Sequence, residues 1–175
     1  MKGHFFCRQP ANAFRNQAVV RSYTDRILTS LLEVAAMATG ADGGSVMMRE
    51  GQGNVLRIRA SQGLSDSVVS ATRQPQDEGL SGVTMRQRAI LLVDEATDDP
   101  FLKRLMRRRE LISSLVAPLT IEPDQEPVGV LNLRTANLAR RFTPEHVEML
   151  RRLLDLAALA LGNLRVAFAK PRQSP

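Results

Sequence analysis

Hydrophobic residues recur along residues 143–168 on two helical stripes. One runs Val147, Leu150, Leu154, Ala157, Leu161, Leu164, Phe168, with spacings that alternate between three and four. The other runs Met149, Leu153, Leu156, Ala160, Asn163, Ala167 in the same rhythm. A helix needs one stripe to dock on its own domain. A second stripe at heptad spacing asks for another helix, and together the two cover an arc of about 160°. The pattern predicts a domain that folds against this helix and passes a signal through it. Met149, Leu153, Leu156, Ala160 and Asn163 are the candidate dimer contacts, with Asn163 as a polar residue that sets register. The alternative is that the chain's own first helix and sheet cover both stripes. Thr143, Pro144 and Glu145 open the helix as N-cap, first helical residue and first-turn acid.

Upstream, residues 20–39 carry Val20, Ile27, Leu31, Val34 and Ala38 on one helical face, and Gly40 ends the pattern. Residues 45–48 read as a short strand. In residues 55–60, Leu56, Ile58 and Ala60 alternate with Val55, Arg57 and Arg59, as in a half-buried strand. The intervening residues 50–54 suit a hairpin. Ser65 and Asp66 begin a short helix that Pro75 ends, and a second short helix opens at residues 79–82 and closes near Arg88. Residues 90–93 form a strand, and Asp98, Asp99 and Pro100 start a helix with Phe101, Leu102 and Leu105. Two further strands, 114–119 and 128–133, flank a polar connection. Strands joined by hairpins make an antiparallel sheet. The expected class is therefore α+β: an antiparallel sheet of five to six strands, the N- and C-terminal helices on one face, short helices over a cavity on the other.

The chain has 175 residues, enough for one domain that buries its own core without disulfide or metal. Residues 19–169 are expected to form that domain, between a flexible tail of residues 1–18 and a tail or linker of residues 170–175. A single cysteine, Cys7, excludes an internal disulfide, and with only His4 and His146, far apart in sequence, a His/Cys metal cluster is not expected. No apolar run reaches the roughly 20 residues needed to cross a bilayer, and the expected compartment is the cytoplasm. The net charge of +6 comes mostly from arginine blocks at 104–109, 140–141 and 151–152. Such a balance permits anionic partners, but a solvated basic face is the favoured reading. Nucleic acid is disfavoured, because aromatic residues are only 4% and no helix-turn-helix is visible.

Several short motifs in sequence order are similar to landmarks of the GAF sensory domain. They are residues 60–64 (ASQGL), 78–82 (EGLSG), 90–94 (ILLVD), 98–101 (DDPF), 112–119 (ISSLVAPL), 127–133 (PVGVLNL) and 141–145 (RFTPE). The resemblance covers residues 20–168. It implies a regulatory small-molecule sensor of bacterial signal transduction that couples occupancy to dimer helices. Its output would be a kinase (as in two-component systems), a cyclase or a transcription activator. The chain is then either part of a longer protein or a stand-alone regulator. A ligand-free module for dimerisation or protein interaction is the second reading.

The resemblance implies pocket positions at Ser45, Ser61, Ser81, Gly82, Thr97 and Asn132. Ser81 and Gly82 could present free backbone N–H groups to an anion at a helix start, or Ser81 could be an ordinary N-cap. Asn132 interrupts an apolar strand on the face of Val128 and Val130, and a buried amide needs partners. Arg59 could clamp a carboxylate or phosphate or face solvent. In the signature of cyclic-nucleotide-binding relatives, this chain places Thr135, Ala136, Phe142, His146 and Val147, and only Phe142 matches. Bilin-carrying relatives need a cysteine in the domain, and the methionine sulfoxide reductases of this type need more than one. No catalytic constellation is visible: Asp94 and Glu95 have no base or nucleophile at readable spacing. The expectation is a non-enzyme whose cofactor, if any, is unnamed. His146 reads as a surface histidine.

Overall fold

The protein is described here by a computed structural model, covering residues 11–51, 53–106, 111–122 and 125–168. His4, Cys7, Arg107, Arg108, Arg109 and residues 169–175 lie outside the described residues.

Helix α1 (Ala11–Thr39) starts well before the periodic stretch and takes in residues 11–18, which were expected in the tail. No Gly or Pro occurs between Ala11 and Thr39, so nothing in that stretch stops helix propagation. Strands β1 (Gly43–Arg49) and β2 (Val55–Gln62) form the first hairpin. Helix α2 (Asp66–Ala71) follows, with the Ser65 hydroxyl accepting from the Val68 N–H. A short edge strand β3 (Gln74–Pro75) pairs with the start of β2, where sequence alone suggested only a stop. Proline is tolerated there because an edge strand need not donate on its outer side. Helix α3 (Gly79–Gln87), strand β4 (Leu91–Asp94) and helix α4 (Pro100–Leu105) lead to β5 (Ser113–Leu119) and β6 (Gly129–Thr135). A 3-10 turn (Leu138–Arg140) precedes helix α5 (Pro144–Phe168). All pairings are antiparallel, in the order β3-β2-β1-β6-β5-β4.

The main core lies between the sheet and the two terminal helices. Leu28, Leu32 and Ala35 of α1 and Leu150, Leu154, Ala157 and Leu161 of α5 pack on Val46, Leu115, Leu131 and Leu133. Each fully buried leucine contributes about 2 kcal/mol by leaving water. A second, smaller cluster on the opposite face joins Met47, Leu56 and Val130 to Met85 of α3, with Ile58 against it.

The two faces are redistributed by a bulge in β2. Val46 pairs with Ala60 and Met47 with Ile58, which leaves Arg59 without a partner. An extra residue reverses the alternation beyond it. Leu56 and Ile58 therefore belong to the small cluster, and Ala60 to the main core. Simple alternation had put all three on one face. Val128 precedes β6 and packs against the main core, so it does not share the face of Val130 as alternation predicted.

The chain enters α5 through a modified capping box. The Thr143 backbone N–H donates to Nδ1 of His146 at 3.1 Å, and the Thr143 carbonyl accepts from the His146 N–H at 3.0 Å. The imidazole takes the place that Glu or Gln fills in the usual box. His146 is half-buried, edge-on to Phe142 with ring centroids 6.1 Å apart. The surface histidine expected from sequence is thus a structural one. The Thr143 hydroxyl and the Glu145 backbone N–H hold the Glu145 carboxyl below its ordinary pKa.

Candidate functional site

A cavity of about 430 Å³ lies between the outer face of the sheet and the layer made by α2, α3 and α4. Its floor is formed by Ser45 and Met47 of β1, Ile58 of β2, Ser114 and Val116 of β5, and Asn132 and Arg134 of β6. Val68, Thr72, Leu80, Ser81, Leu105 and Met106 contribute to the cover. The polar part is compact because strand register makes it so. Ser45 stands opposite Asn132 on one side, and Val116 stands opposite it on the other. Ser81 reaches down from α3 and its hydroxyl donates to Oδ1 of Asn132 at 3.2 Å. Ser45 and Ser81 are buried. The result is an apolar chamber with a few convergent hydrogen-bonding groups, the usual make-up of a small-molecule site.

Helix α3 is positioned by Gly82. A Cβ there would come within 2.2 Å of the Asp77 carbonyl carbon, so only glycine lets the chain fold back this closely. The Gly82 N–H donates to the Glu78 carbonyl at 2.9 Å. Glu78, not Ser81, is the N-cap, and it makes no side-chain capping bond. Ser81 is therefore free to face the sheet. The helix start does not offer the Gly82 N–H to an anion, because that group is already inside the helical ladder.

The sequence profile of the GAF domain matches residues 24–162. This chain belongs to the GAF domain family. The second GAF domain of DevS from Mycobacterium smegmatis is similar to it, at 27% identity and a TM-score of 0.62, over 86% of this chain and 99% of that one. A methyl-accepting chemotaxis protein (residues 122 to 287) has a TM-score of 0.69 at 18% identity, over 90% and 99%. The type II free methionine-R-sulfoxide reductase of Thermoplasma acidophilum has a TM-score of 0.65 at 18% identity, over 83% and 96%. No curated protein matches. The structural neighbours include sensory and signalling proteins as well as this reductase.

In this GAF domain Ser45, Ser81 and Asn132 line one cavity, and four other positions singled out from the sequence do not. Arg59 sits at the bulge and turns to the helical face, where Nε donates to Oδ1 of Asp25 on α1 at 3.0 Å. Ser61 pairs with Ser45 but is exposed, and it borders a separate depression beside Thr29 and Arg140. Thr97 closes the turn after β4, its hydroxyl accepting from the Asp94 N–H at 2.9 Å. Gly82 is buried in α3 and shapes the cover without lining the cavity. Sequence reading missed Arg134, whose Nη2 donates to the Gly63 carbonyl at 2.8 Å, and Ser114. Both follow from the phase of Asn132: Arg134 shares its face two residues on, and Ser114 pairs with Arg134.

The helical face of the GAF domain carries a different feature. Tyr23, Ile27, Leu31 and Val34 of α1 and Leu153, Leu156 and Ala157 of α5 form a groove of about 400 Å³. Leu150, Leu154, Ala157 and Leu161 of the first stripe are buried in the main core, Val147 is partly buried against it, and Phe168 at the end of the stripe is exposed. Of the candidate dimer contacts, Met149, Leu153 and Ala160 are half-buried, while Leu156 is 64% exposed and Asn163 is exposed. Leu159 and Val166, on neither stripe, are exposed as well. No helix among the described residues is long and apolar enough to cross a membrane.

Proposed function

We propose that this GAF domain is a regulatory sensor in bacterial signal transduction. A small molecule enters the cavity between the sheet and the short helices, and its occupancy changes how the terminal helices pair with a second copy. The Ser81–Asn132 hydrogen bond carries the reading. It joins the cover to the central strand through two groups that can each rebind to a ligand, which favours a site with two arrangements. Ser45, Ser81 and Asn132 are the proposed ligand contacts. Met149, Leu153, Leu156, Ala160 and Asn163 are the proposed dimer contacts. The output is a kinase, cyclase or transcription activator, on the same chain or a partner, in the cytoplasm. We do not assign catalysis to the domain.

Native mass spectrometry of the purified protein tests this reading. A co-purified small molecule that is lost in Asn132→Leu supports it. An empty cavity, together with melting that none of a metabolite panel shifts, sinks it.

The exposed groove between α1 and α5 favours a second reading, a ligand-free dimerisation module. It predicts that Asn132→Leu leaves both partner binding and output unchanged.

A further inference from the structure

A cleft of about 860 Å³, distinct from the sensory cavity, opens at the edge of the sheet between α1, the β1–β2 hairpin and α2. Arg21, Arg49, Arg57, Arg59 and Arg73 all line it, against one carboxylate, Glu50. Arg57 is ion-paired with Glu50, and Arg59 with Asp25. The other three have no carboxylate partner among the described residues. Arg73 Nη1 donates only to the carbonyls of Ser70 and Thr72, at 2.7 and 3.0 Å. Arg49 Nη2 donates to the Pro127 carbonyl at 3.1 Å, and its Nε is buried without a hydrogen-bond partner. Arg21 has no polar partner among the described residues. Residues 1–10 and 169–175 contain no Asp or Glu.

A concave surface with uncompensated guanidiniums focuses anions, and the guanidinium fork matches phosphate oxygens in pairs. The rest of the wall mixes apolar side chains, Val20, Met48, Ile58, Val69 and Phe168, with the uncharged polar ones of Asn16, Gln17, Thr24 and Ser70. That combination suits a ligand with a phosphorylated end and a flat apolar part. The volume lies in the range of ordinary small-molecule sites.

We propose that this cleft binds a phosphorylated small molecule of nucleotide size. Its position gives the site a consequence. Ile58 and Arg73 line both the cleft and the sensory cavity, and Phe168 belongs to the last turn of α5. A bound phosphate would tie α1, the hairpin and α2 together beside the end of the output helix.

The test is calorimetric titration of the full chain with ATP and with inorganic pyrophosphate in magnesium-free buffer, with adenosine as the uncharged control. Expected is saturable binding of both phosphates, with ATP bound at least about tenfold more tightly than adenosine. Arg21→Ala with Arg73→Ala should weaken it by about tenfold or more while the melting temperature stays within a few degrees. Removing the same number of charges elsewhere, by Arg151→Ala with Arg152→Ala on α5, should change it little. The proposal is overturned if neither phosphate binds saturably below millimolar concentration. It is also overturned if the α5 pair weakens binding equally, which would mean general charge attraction. A third arm uses vesicles containing phosphatidylglycerol. Binding to vesicles without binding to ATP would assign the arginines to a membrane surface and also overturn it.

Discussion

Arg59, the unpaired residue at the bulge of β2, grips Asp25 of α1 through two guanidinium nitrogens, with Nε at 3.0 Å. One inserted residue therefore does two things. It sends Ile58 to the cavity and Ala60 to the main core, and it anchors the first helix to the sheet. Both side chains are partly exposed, so the pair is screened. Arg59→Ala should lower unfolding free energy by about 1 kcal/mol in urea denaturation. A double-mutant cycle with Asp25→Ala should show that the two losses are not additive. Full additivity would mean that the contact contributes nothing.

Two glycines in helices should respond in opposite directions to alanine. At Gly82 the added Cβ meets the Asp77 backbone at 2.2 Å, and backbone cannot yield as a side-chain tip can. Gly82→Ala should cost about 1–3 kcal/mol. At Gly162 in α5 the nearest atom is Cγ2 of Ile121 at 3.5 Å, ordinary contact. Gly162→Ala should stabilise by about 0.5–1 kcal/mol through helix propensity. Thermal melts of the two variants check both signs.

Asp42 links the turn after α1 to the chain leaving β6. Its Oδ2 accepts from the Ala136 N–H at 2.8 Å and the Thr135 hydroxyl at 2.9 Å, and its Oδ1 from Arg140 at 3.2 Å. The Ala136 N–H first, then the Thr135 hydroxyl and the Arg140 charge, hold the carboxyl below its ordinary pKa. A folded-state pKa below the unfolded one means stabilisation that is complete above the unfolded value, near 3.9. It is lost as pH falls through the folded value. Asp42→Ala should therefore cost about 1 kcal/mol at neutral pH. The difference from the parent should shrink toward zero as acid titration passes below about pH 4. A constant difference down to the acid limit would contradict this assignment.

Leu156 is 64% exposed on α5 beside the apolar groove. Leu156→Glu should leave monomer stability within about 0.5 kcal/mol, as at other exposed sites. It should weaken self-association by about tenfold or more, as truncation of an interface anchor does. Sedimentation equilibrium reads both species. A parent chain that stays monomeric at high concentration removes the dimer from the proposed function.

Much of this was legible beforehand. The buried stripe of Leu150, Leu154, Ala157 and Leu161, the Ser65 and Asp99 caps, and the strands around Asn132 follow local rules of period and capping. Asn132 was legible as a buried amide that needs partners, whereas Ser45 and Ser81 came from the family resemblance, and strand register and the Ser81 hydrogen bond bring all three to one cavity. Ser61 and Thr97 were expected there from motif position alone, and Arg59 from its place on the polar side of a strand. Motif position carries no information about which face a side chain takes after a bulge, or which turn claims a hydroxyl.

The amino-acid order by itself determined the family, the element types and the helical stripe that is buried, since each depends on spacing within one element or on motifs in series. Tertiary structure decided the division of β2 between two cores, the work of Asp42 and His146, and the gathering of five arginines around one cleft. Those depend on contacts between residues far apart in the chain, and no local period encodes them.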